Sequence, residues 1–211
     1  GHGGRPCPSS CRGTGLDATT HMIEEAVRRT AEAGLAERVK FKQGDALDNP
    51  FPGNQFDVVW GQDAWCYVTD KARLIQECAR VLRPGRVLAF TDWLETGPMD
   101  DDEWEALHTF MVFPYMETLE GYARLVTAAG LTVIEQEDLS PDFAAHIPVY
   151  LDMVQTQFRQ AILDDYGPEM FEGVVAGLVL WRDAAAAGKV GRGRLIAHKP
   201  EEDKVFFTAT A

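Results

Sequence analysis

Short apolar runs alternate with longer helix-like stretches along most of this chain. From residue 15 onward the alternation is regular, and it is typical of a doubly wound α/β sheet whose helices cover both faces of mostly parallel strands. The predicted strands are a short one that ends at Asp17, then residues 39–43, 56–60, 86–91, 131–137 and 194–197. The predicted helices cover residues 20–33, 70–82, 119–129, 142–165 and 169–187, and a polar and aromatic segment occupies residues 94–117.

The length of the chain, 211 residues, suits a single domain. The sequence contains no run of about 18 apolar residues, so we predict that no helix spans a membrane. Residues 1–15 contain no apolar stretch suited to a signal peptide, which favours a cytoplasmic location. We expect no membrane partner.

Acidic side chains dominate the charge balance. The 33 acidic against 20 basic residues give a formal net charge of −13, with a pI near 4.7. Because binding to phosphates needs a basic surface that releases counterions, this balance argues against a nucleic-acid partner. A solvated, soluble surface explains the excess acid, and a high-salt or high-osmolyte host is the alternative explanation.

Four cysteines are too few to indicate a disulfide scaffold. Cys7 and Cys11 have a spacing that could supply half of a metal site, but no second pair at ligand spacing completes it. We therefore predict no metal. Cys66 and Cys78 lie in apolar surroundings that indicate core positions.

Acidic residues stand at the ends of two of the predicted strands, where doubly wound sheets bind their ligands. Asp17 lies at the end of the first strand and just before a helix, a position from which a carboxylate can accept hydrogen bonds from ribose hydroxyls. Asp45 follows the second strand, and its carboxylate could accept from an exocyclic amine such as that of adenine. A helix cap at Asp17 and a turn-forming role for Asp45 are the structural alternatives.

The stretch from Trp60 to Tyr67, with the sequence WGQDAWCY, mixes three aromatic residues with Gln62 and Asp63 directly after a central strand. A buried core segment would not normally carry two polar groups among such aromatics. Aromatic faces attract cations, at about 0.5–2 kcal/mol for each contact. This stretch therefore predicts a ligand site, and aromatic packing at the start of a helix is the alternative.

Several of these motifs together resemble those of class I S-adenosylmethionine-dependent methyltransferases. The motifs are GHGG at residues 1–4, GLD at 15–17, GDA at 44–46, FP at 51–52, FDVVW at 56–60 and RVLRPG at 80–85. A finer resemblance, to the sarcosine/dimethylglycine N-methyltransferases of glycine betaine synthesis, is carried by residues 60–67, 90–93 and 193–197. The resemblance extends from about residue 15 to residue 200. It implies a Rossmann-like sheet, S-adenosylmethionine as cofactor and S-adenosylhomocysteine as product.

The resemblance implies a role for particular residues on the cofactor side. Gly1 and Gly3 would approach the methionine moiety, and Asp17 would hold the ribose with Met22 beside the adenosine. The residues expected at the adenine are Asp45, Ala46 and Leu47. Gln62 would line the boundary between cofactor and acceptor.

The same resemblance implies a small amine as acceptor, in keeping with the aromatic stretch described above. The expected acceptor-binding residues are Trp60, Trp65, Tyr67, Trp93 and Tyr115, and the catalytic candidates among the site residues are Gln62, Trp65 and Trp60. An acceptor carboxylate would need a cationic or donor partner. The candidates for that role are Arg124, Arg182, His108 and His146.

The family pattern also leads to expectations about the organisation of the chain. We expect one methyltransferase domain over residues 1–211, with insertions on the acceptor side at residues 94–117 and 141–188. The family has a complete strand before the glycine motif, and we expect that first strand to be missing here. Residues 1–14 would then be an atypical remnant of the cofactor loop, because two prolines and no apolar periodicity make a helix over residues 5–14 improbable.

Other functions remain compatible with the sequence. A methyltransferase of another small acceptor, such as a sterol, a phenol or phosphoethanolamine, would share the cofactor motifs. A truncated, inactive methyltransferase-like binding module is a second alternative, and a nicotinamide dehydrogenase is a third, although the full GxGxxG spacing is absent. The sequence leaves open whether the chain forms a homo-oligomer.

Overall fold

The computed structural model of the protein describes residues 11–201. The chain divides between Pro52 and Gly53 into two compact units, which are described one at a time. The predictions for Gly1, for Gly3 and for a missing first strand concern residues before Cys11 and lie outside the described part.

The first unit contains two neighbouring parallel strands joined by a helix. Strand β1 covers Gly13–Asp17, helix α1 covers Thr20–Glu32 and strand β2 covers Val39–Gln43. Gly13 is in register with Val39 and Asp17 with Gln43, so the two strands end at the same edge. The predicted strand–helix–strand order is confirmed here.

The second unit is built around a four-stranded sheet. Its strands are β3 at Phe56–Gln62, β4 at Leu82–Glu95, β5 at Thr132–Asp138 and β6 at Val190–His198, arranged in the spatial order β3-β4-β6-β5. Strand β4 is parallel to β3, whereas β6 is antiparallel to both β4 and β5.

Within the described residues of this unit, five α-helices accompany the sheet. They are α2 at Lys71–Val81, α3 at Asp101–Met111, α4 at Leu119–Ala128, α5 at Ser140–Gln155 and α6 at Arg159–Ala186. Helix α2 alone joins β3 to β4, so these strands run parallel. Two successive helices, α5 and α6, separate β5 from β6. The second helix carries the chain back to the edge where β5 ended, and β6 therefore runs antiparallel.

Strand β4 is longer than predicted, at 14 residues instead of six. Helix α2 ends at Val81, and Pro84 and Gly85 lie inside the strand that follows it. Gly85 adopts a φ of 72°, which favours glycine, and its N–H donates to the carbonyl oxygen of Lys199 at 2.7 Å. Strand β6 is likewise longer than the predicted residues 194–197.

The polar and aromatic segment at residues 94–117 contains helix α3, which was not predicted from the sequence. A reciprocal capping box begins this helix: Glu103 N–H donates to the Asp100 carboxylate at 2.9 Å, and Asp100 N–H donates to the Glu103 carboxylate at 3.1 Å.

The predicted break between residues 165 and 169 is present, and the chain has a second break that was not predicted. Helix α5 ends at Gln155, and α6 begins at Arg159. Within α6, Gly167 has non-helical angles, φ 83° and ψ 173°, directly before Pro168, so the helix is interrupted where the break was predicted.

The aromatic core of the second unit brings together residues from helices and strands that are far apart in the sequence. Trp181 packs edge-on against Trp93 and Phe143, with ring centroids 5.4 Å and 6.0 Å apart. Phe113 lies 5.8 Å from the same indole. Among residues 11–201, no helix has both the length and the apolar character needed to cross a membrane.

Candidate active site

Two carboxylates lie at or just beyond the ends of the parallel strands of the first unit. Asp17 ends β1, and its Oδ1 accepts a hydrogen bond from Thr19 N–H at 2.7 Å. Asp45 precedes a 3₁₀ turn at Ala46–Asp48, and its Oδ1 accepts from Leu47 N–H at 2.8 Å. Gly44 N–H donates to the Asp17 carbonyl oxygen at 3.0 Å and ties the two loops together.

Asp17 and Asp45 can each bond a backbone N–H of their own turn and still bind a ligand. Each local bond uses Oδ1, and a carboxylate has about four lone-pair sites distributed over its two oxygens. Both side chains can therefore shape their own turn and still accept hydrogen bonds from ligand hydroxyls or amines. Of their predicted companions, Met22 is 53 % exposed near the start of α1, and Ala46 and Leu47 are half-buried in the 3₁₀ turn.

The segment after β3 in the second unit holds the predicted acceptor residues in two different environments. Gln62 is exposed at the end of β3, and Trp60 is 70 % exposed. Trp65 and Tyr67 lie on a 3₁₀ turn, where the indole is buried and the tyrosine is 56 % exposed.

Trp65 is held in place by three neighbours within the second unit. Its ring stacks on Phe90 with centroids 4.1 Å apart, and Tyr122 lies 6.3 Å away. The third neighbour is the backbone of Gly61, where an added Cβ would lie 2.5 Å from the Trp65 Nε1 atom. This glycine leaves room for the indole at the end of β3.

Replacing Gly61 by alanine is expected to lower the free energy of unfolding by about 1–3 kcal/mol, because the new methyl group would displace a buried indole. Urea unfolding measures the change. Gly173→Ala is the matched control, since nothing lies within 4 Å of a Cβ at that helical position. The control is expected to raise stability by up to about 1 kcal/mol through helix propensity. Equal losses in the two variants would contradict the steric explanation.

A buried carboxylate lies behind the turn that carries Trp65. Asp92 is 1 % exposed, and its two oxygens accept from Cys66 N–H at 3.0 Å and from the Tyr122 hydroxyl at 2.5 Å. Burial raises the pKa of Asp92 above its usual value, while the bond from Tyr122 and the charge of Lys71 oppose that rise. Burial also raises the pKa of Tyr122, so the tyrosine acts as a hydrogen-bond donor to this carboxylate.

Asp63 and Arg192 form a bidentate ion pair that the sequence patterns did not reveal. Arg192 Nε donates to Asp63 Oδ1 at 2.9 Å, and its Nη2 donates to Asp63 Oδ2 at 2.7 Å and to Thr91 Oγ1 at 3.2 Å. Asp63 has a φ of 50°, in the left-handed region that aspartate tolerates better than most residues. Arg192 also lines a cavity of about 240 Å³ with His146 and Tyr150.

The remaining predicted acceptor residues are distributed between core and surface. Trp93 is half-buried in the aromatic core beside Phe113 and Trp181. Tyr115 is 36 % exposed, and its hydroxyl donates to Glu117 at 2.7 Å. Burial, together with that carboxylate, raises the pKa of Tyr115 to about 12. Gly1 and Gly3 lie outside the described residues.

Metal ligands do not cluster anywhere in the part of the chain that the structure describes. Over residues 11–201, no group of three or more His, Cys, Asp or Glu side chains is arranged to hold an ion.

Comparison with known proteins places this architecture in a family. A family model described as a methyltransferase domain matches residues 4–90. The methyltransferase GfsG of Streptomyces halstedii is 30 % identical over 88 % of this chain and 65 % of its own length. The 27-O-demethylrifamycin SV methyltransferase of Amycolatopsis mediterranei is 31 % identical over 93 % of this chain and 67 % of that protein. The chain belongs to the methyltransferases.

Solved structures agree with this assignment. The crystal structure of a putative sarcosine dimethylglycine methyltransferase from Galdieria sulphuraria is 25 % identical and matches with a TM-score of 0.79, over 89 % of this chain and 69 % of that chain. The Rossmann-like class I methyltransferase fold is therefore confirmed. The chain spans 65 % of the length of GfsG, and 38 % and 37 % of two other curated relatives.

Proposed function

We propose that this chain transfers a methyl group from S-adenosylmethionine to a small amine, of which sarcosine and dimethylglycine are the foremost candidates. The pair of carboxylates at the ends of β1 and β2 carries the proposal. Asp17 ends β1 and Asp45 comes two residues after β2, the parallel neighbour of β1, and each has acceptor capacity left after its local backbone bond. An adenosine moiety presents the matching donors, which are two ribose hydroxyls and an adenine amine.

The residues of the first unit fit such a cofactor. Asp17 would accept hydrogen bonds from the ribose hydroxyls and Asp45 from the adenine amine, with Met22, Ala46 and Leu47 as apolar neighbours of the adenosine. When bound, the cofactor supplies an electrophilic methyl group carried on a positively charged sulfur. The protein's part is then to hold the acceptor nitrogen in line and to keep water away from it.

Exposed aromatic rings in the second unit support an amine as the acceptor. Trp60, Tyr67 and Tyr115 all expose ring surface, and ring faces favour a quaternary ammonium product by about 0.5–2 kcal/mol for each contact. Gln62 would contact the acceptor at the end of β3. Once its lone pair is free, a tertiary amine such as dimethylglycine has no further proton to lose, so the transfer step itself needs no general base. The similarity to the Galdieria structure favours the same acceptor class.

Trp65 and Trp93 would act on the acceptor indirectly under this proposal. Both indoles pack among other rings, Trp65 on Phe90 and Trp93 on Trp181. Their contribution would be to support the segments that present the exposed rings.

A larger acceptor with an oxygen nucleophile is the second candidate function. The relative that is 31 % identical over 93 % of this chain carries the name of a rifamycin methyltransferase. A hydroxyl acceptor and sarcosine both release a proton on methylation, so proton release does not separate the two candidates, whereas turnover of a panel of substrates does. Sterol, phenol and phosphoethanolamine acceptors belong in the same panel.

Calorimetric titration with S-adenosylhomocysteine, followed by methylation assays on that panel, tests the proposal. Micromolar binding with turnover of sarcosine or dimethylglycine is the expected result. Turnover of only a hydroxyl-bearing acceptor would favour the second candidate. A folded chain that binds no S-adenosylhomocysteine would overturn the cofactor assignment and favour an inactive binding module.

Asp17→Asn is expected to weaken S-adenosylhomocysteine binding by about 10- to 100-fold, because a hydrogen bond to a charged group contributes about 1.5–3 kcal/mol. Asparagine keeps a side-chain oxygen for the Thr19 N–H, so the turn itself should survive. Asp48→Asn, an exposed carboxylate in the same unit, is the control and should leave the Kd unchanged. An unchanged Kd for Asp17→Asn would show that this carboxylate does not hold the ribose.

A further inference from the structure

A buried lysine ammonium joins two segments of the second unit that carry exposed acceptor-side rings. Lys71, the first residue of α2, is only 2 % exposed. Its Nζ donates to the carbonyl oxygens of Trp65 at 2.5 Å, Val68 at 2.6 Å and Tyr115 at 3.2 Å. Trp65 and Val68 frame the 3₁₀ turn after β3, whereas Tyr115 lies between α3 and α4.

The 3₁₀ turn is held from two directions. On one side Asp92 accepts from the backbone N–H of Cys66, and on the other Lys71 donates to the carbonyl oxygens that flank that residue. Tyr67 lies on this turn, and its ring meets Phe113 edge-on with centroids 5.2 Å apart. The position of Tyr67 therefore depends on both charged side chains.

The segment that carries Tyr115 is held by the same ammonium. The Nζ atom of Lys71 lies 5.4 Å from the centroid of the Tyr115 ring in addition to bonding the carbonyl oxygen of that residue. A single buried charge thus touches both the backbone and the ring of Tyr115. The hydroxyl of this tyrosine is held separately by Glu117.

The three hydrogen bonds of Lys71 also argue against a role as a proton acceptor. An ammonium has three N–H donors and no acceptor, and the three carbonyl oxygens use all of them. Burial lowers the pKa of Lys71, while the negative charge of Asp92 opposes that shift. A deprotonated amine has only two N–H donors and would leave one of the three carbonyl oxygens without its bond, so this geometry suits a fixed cation and not a proton acceptor.

We propose that Lys71 is a positioning residue for acceptor binding, which sets the placement of Tyr67 and Tyr115 by holding both of their segments on one ammonium. The role in acceptor binding rests on the proposed function. The structural part, a link between the turn at Trp65–Tyr67 and residues 112–118, stands without it.

Lys71→Met removes the charge and the donors while keeping a side chain of similar length. We expect the KM for the amine acceptor to rise at least tenfold, with a smaller change in kcat and an unchanged Kd for S-adenosylhomocysteine. Amide hydrogen exchange should become faster in residues 65–68 and 112–118, and stay unchanged in β1 and β2. Lys40→Met is the control, because that lysine is exposed on β2 and its Nζ donates to the carbonyl oxygen of Ala36, four residues earlier.

Lys71→Arg keeps the charge. If Lys71→Met does not fold, Lys71→Arg tests the proposal in its place. The planar guanidinium directs its donors differently from an ammonium, so it cannot bond the three carbonyl oxygens with the same geometry. We expect a folded protein whose KM for the acceptor rises at least threefold while cofactor binding is unchanged.

Separate outcomes distinguish the failure of this inference from the failure of the proposed function. If the unmodified chain methylates no amine, the proposed function fails, and the exchange measurement alone decides the structural link. An unchanged exchange rate in both segments of a folded Lys71 variant would overturn the link. An unchanged KM in an active, folded Lys71→Arg variant would overturn the role in acceptor positioning.

Discussion

Asp92→Ala is expected to lower the free energy of unfolding by about 2–5 kcal/mol, the cost of leaving two buried donors without an acceptor. The substitution strands the hydroxyl of Tyr122 and the N–H of Cys66, both of which are fully buried. It also removes the negative charge that faces the buried ammonium of Lys71. Equilibrium unfolding in urea, followed by circular dichroism, measures the loss.

Two further variants separate these contributions. Tyr122→Phe removes one donor together with its need for an acceptor, and should cost only about 0.5–1.5 kcal/mol. Asp183→Ala breaks an ion pair between exposed side chains, Arg182 and Asp183, and should change stability by less than about 1 kcal/mol. A loss for Asp92→Ala no larger than that of the Asp183 control would show that the buried carboxylate does not stabilise the fold.

Trp181→Ala is expected to destabilise the protein by about 3–5 kcal/mol, the usual range for truncating a buried large aromatic residue. The indole is 2 % exposed and contacts the rings of Trp93, Phe113 and Phe143. Removal of the indole would open a cavity, and the surrounding elements, which come from three regions of the chain, could not shift together to fill it. The midpoint and slope of urea unfolding measure the effect.

A second tryptophan provides the matched control. Trp60 is 70 % exposed, and Trp60→Ala should change stability by no more than about 0.5 kcal/mol. Under the proposed function the same variant should weaken acceptor binding, so its effect appears in KM and not in the unfolding free energy. Similar stability losses in the two tryptophan variants would contradict the assignment of Trp181 to the core.

The aromatic residues show where prediction from sequence reached its limit. The stretch from Trp60 to Tyr67 was predicted to be a ligand site because it mixes rings with polar groups. In the structure Trp65 is turned into the core while Trp60 and Tyr67 are exposed. A 3₁₀ turn of three residues has no lasting periodicity, so nothing in the local pattern distinguishes its buried side chain from its exposed one.

The ion pairs and buried charges were also beyond the reach of local patterns. Arg192 reaches Asp63 across 129 positions of sequence, and Lys71 reaches Tyr115 across 44. Lysine at the first position of a helix is ordinary in a solvated protein, and no neighbouring residue signals that this one is buried. The acids near the ends of β1 and β2 were easier to identify, because Asp17 is the last residue of its strand and Asp45 comes two residues after the next one.

The sequence by itself determined the alternation of strands and helices, the carboxylates after β1 and β2 and the resemblance to methyltransferases. These features depend on apolar periodicity and on short motifs, which act within a few residues of each other. Only the tertiary structure decided that β6 runs antiparallel between β4 and β5, that Trp65 and Trp93 are packed among other rings, and that Lys71 and Asp92 are buried. Burial and pairing depend on residues brought together from distant parts of the chain, and no local pattern records them.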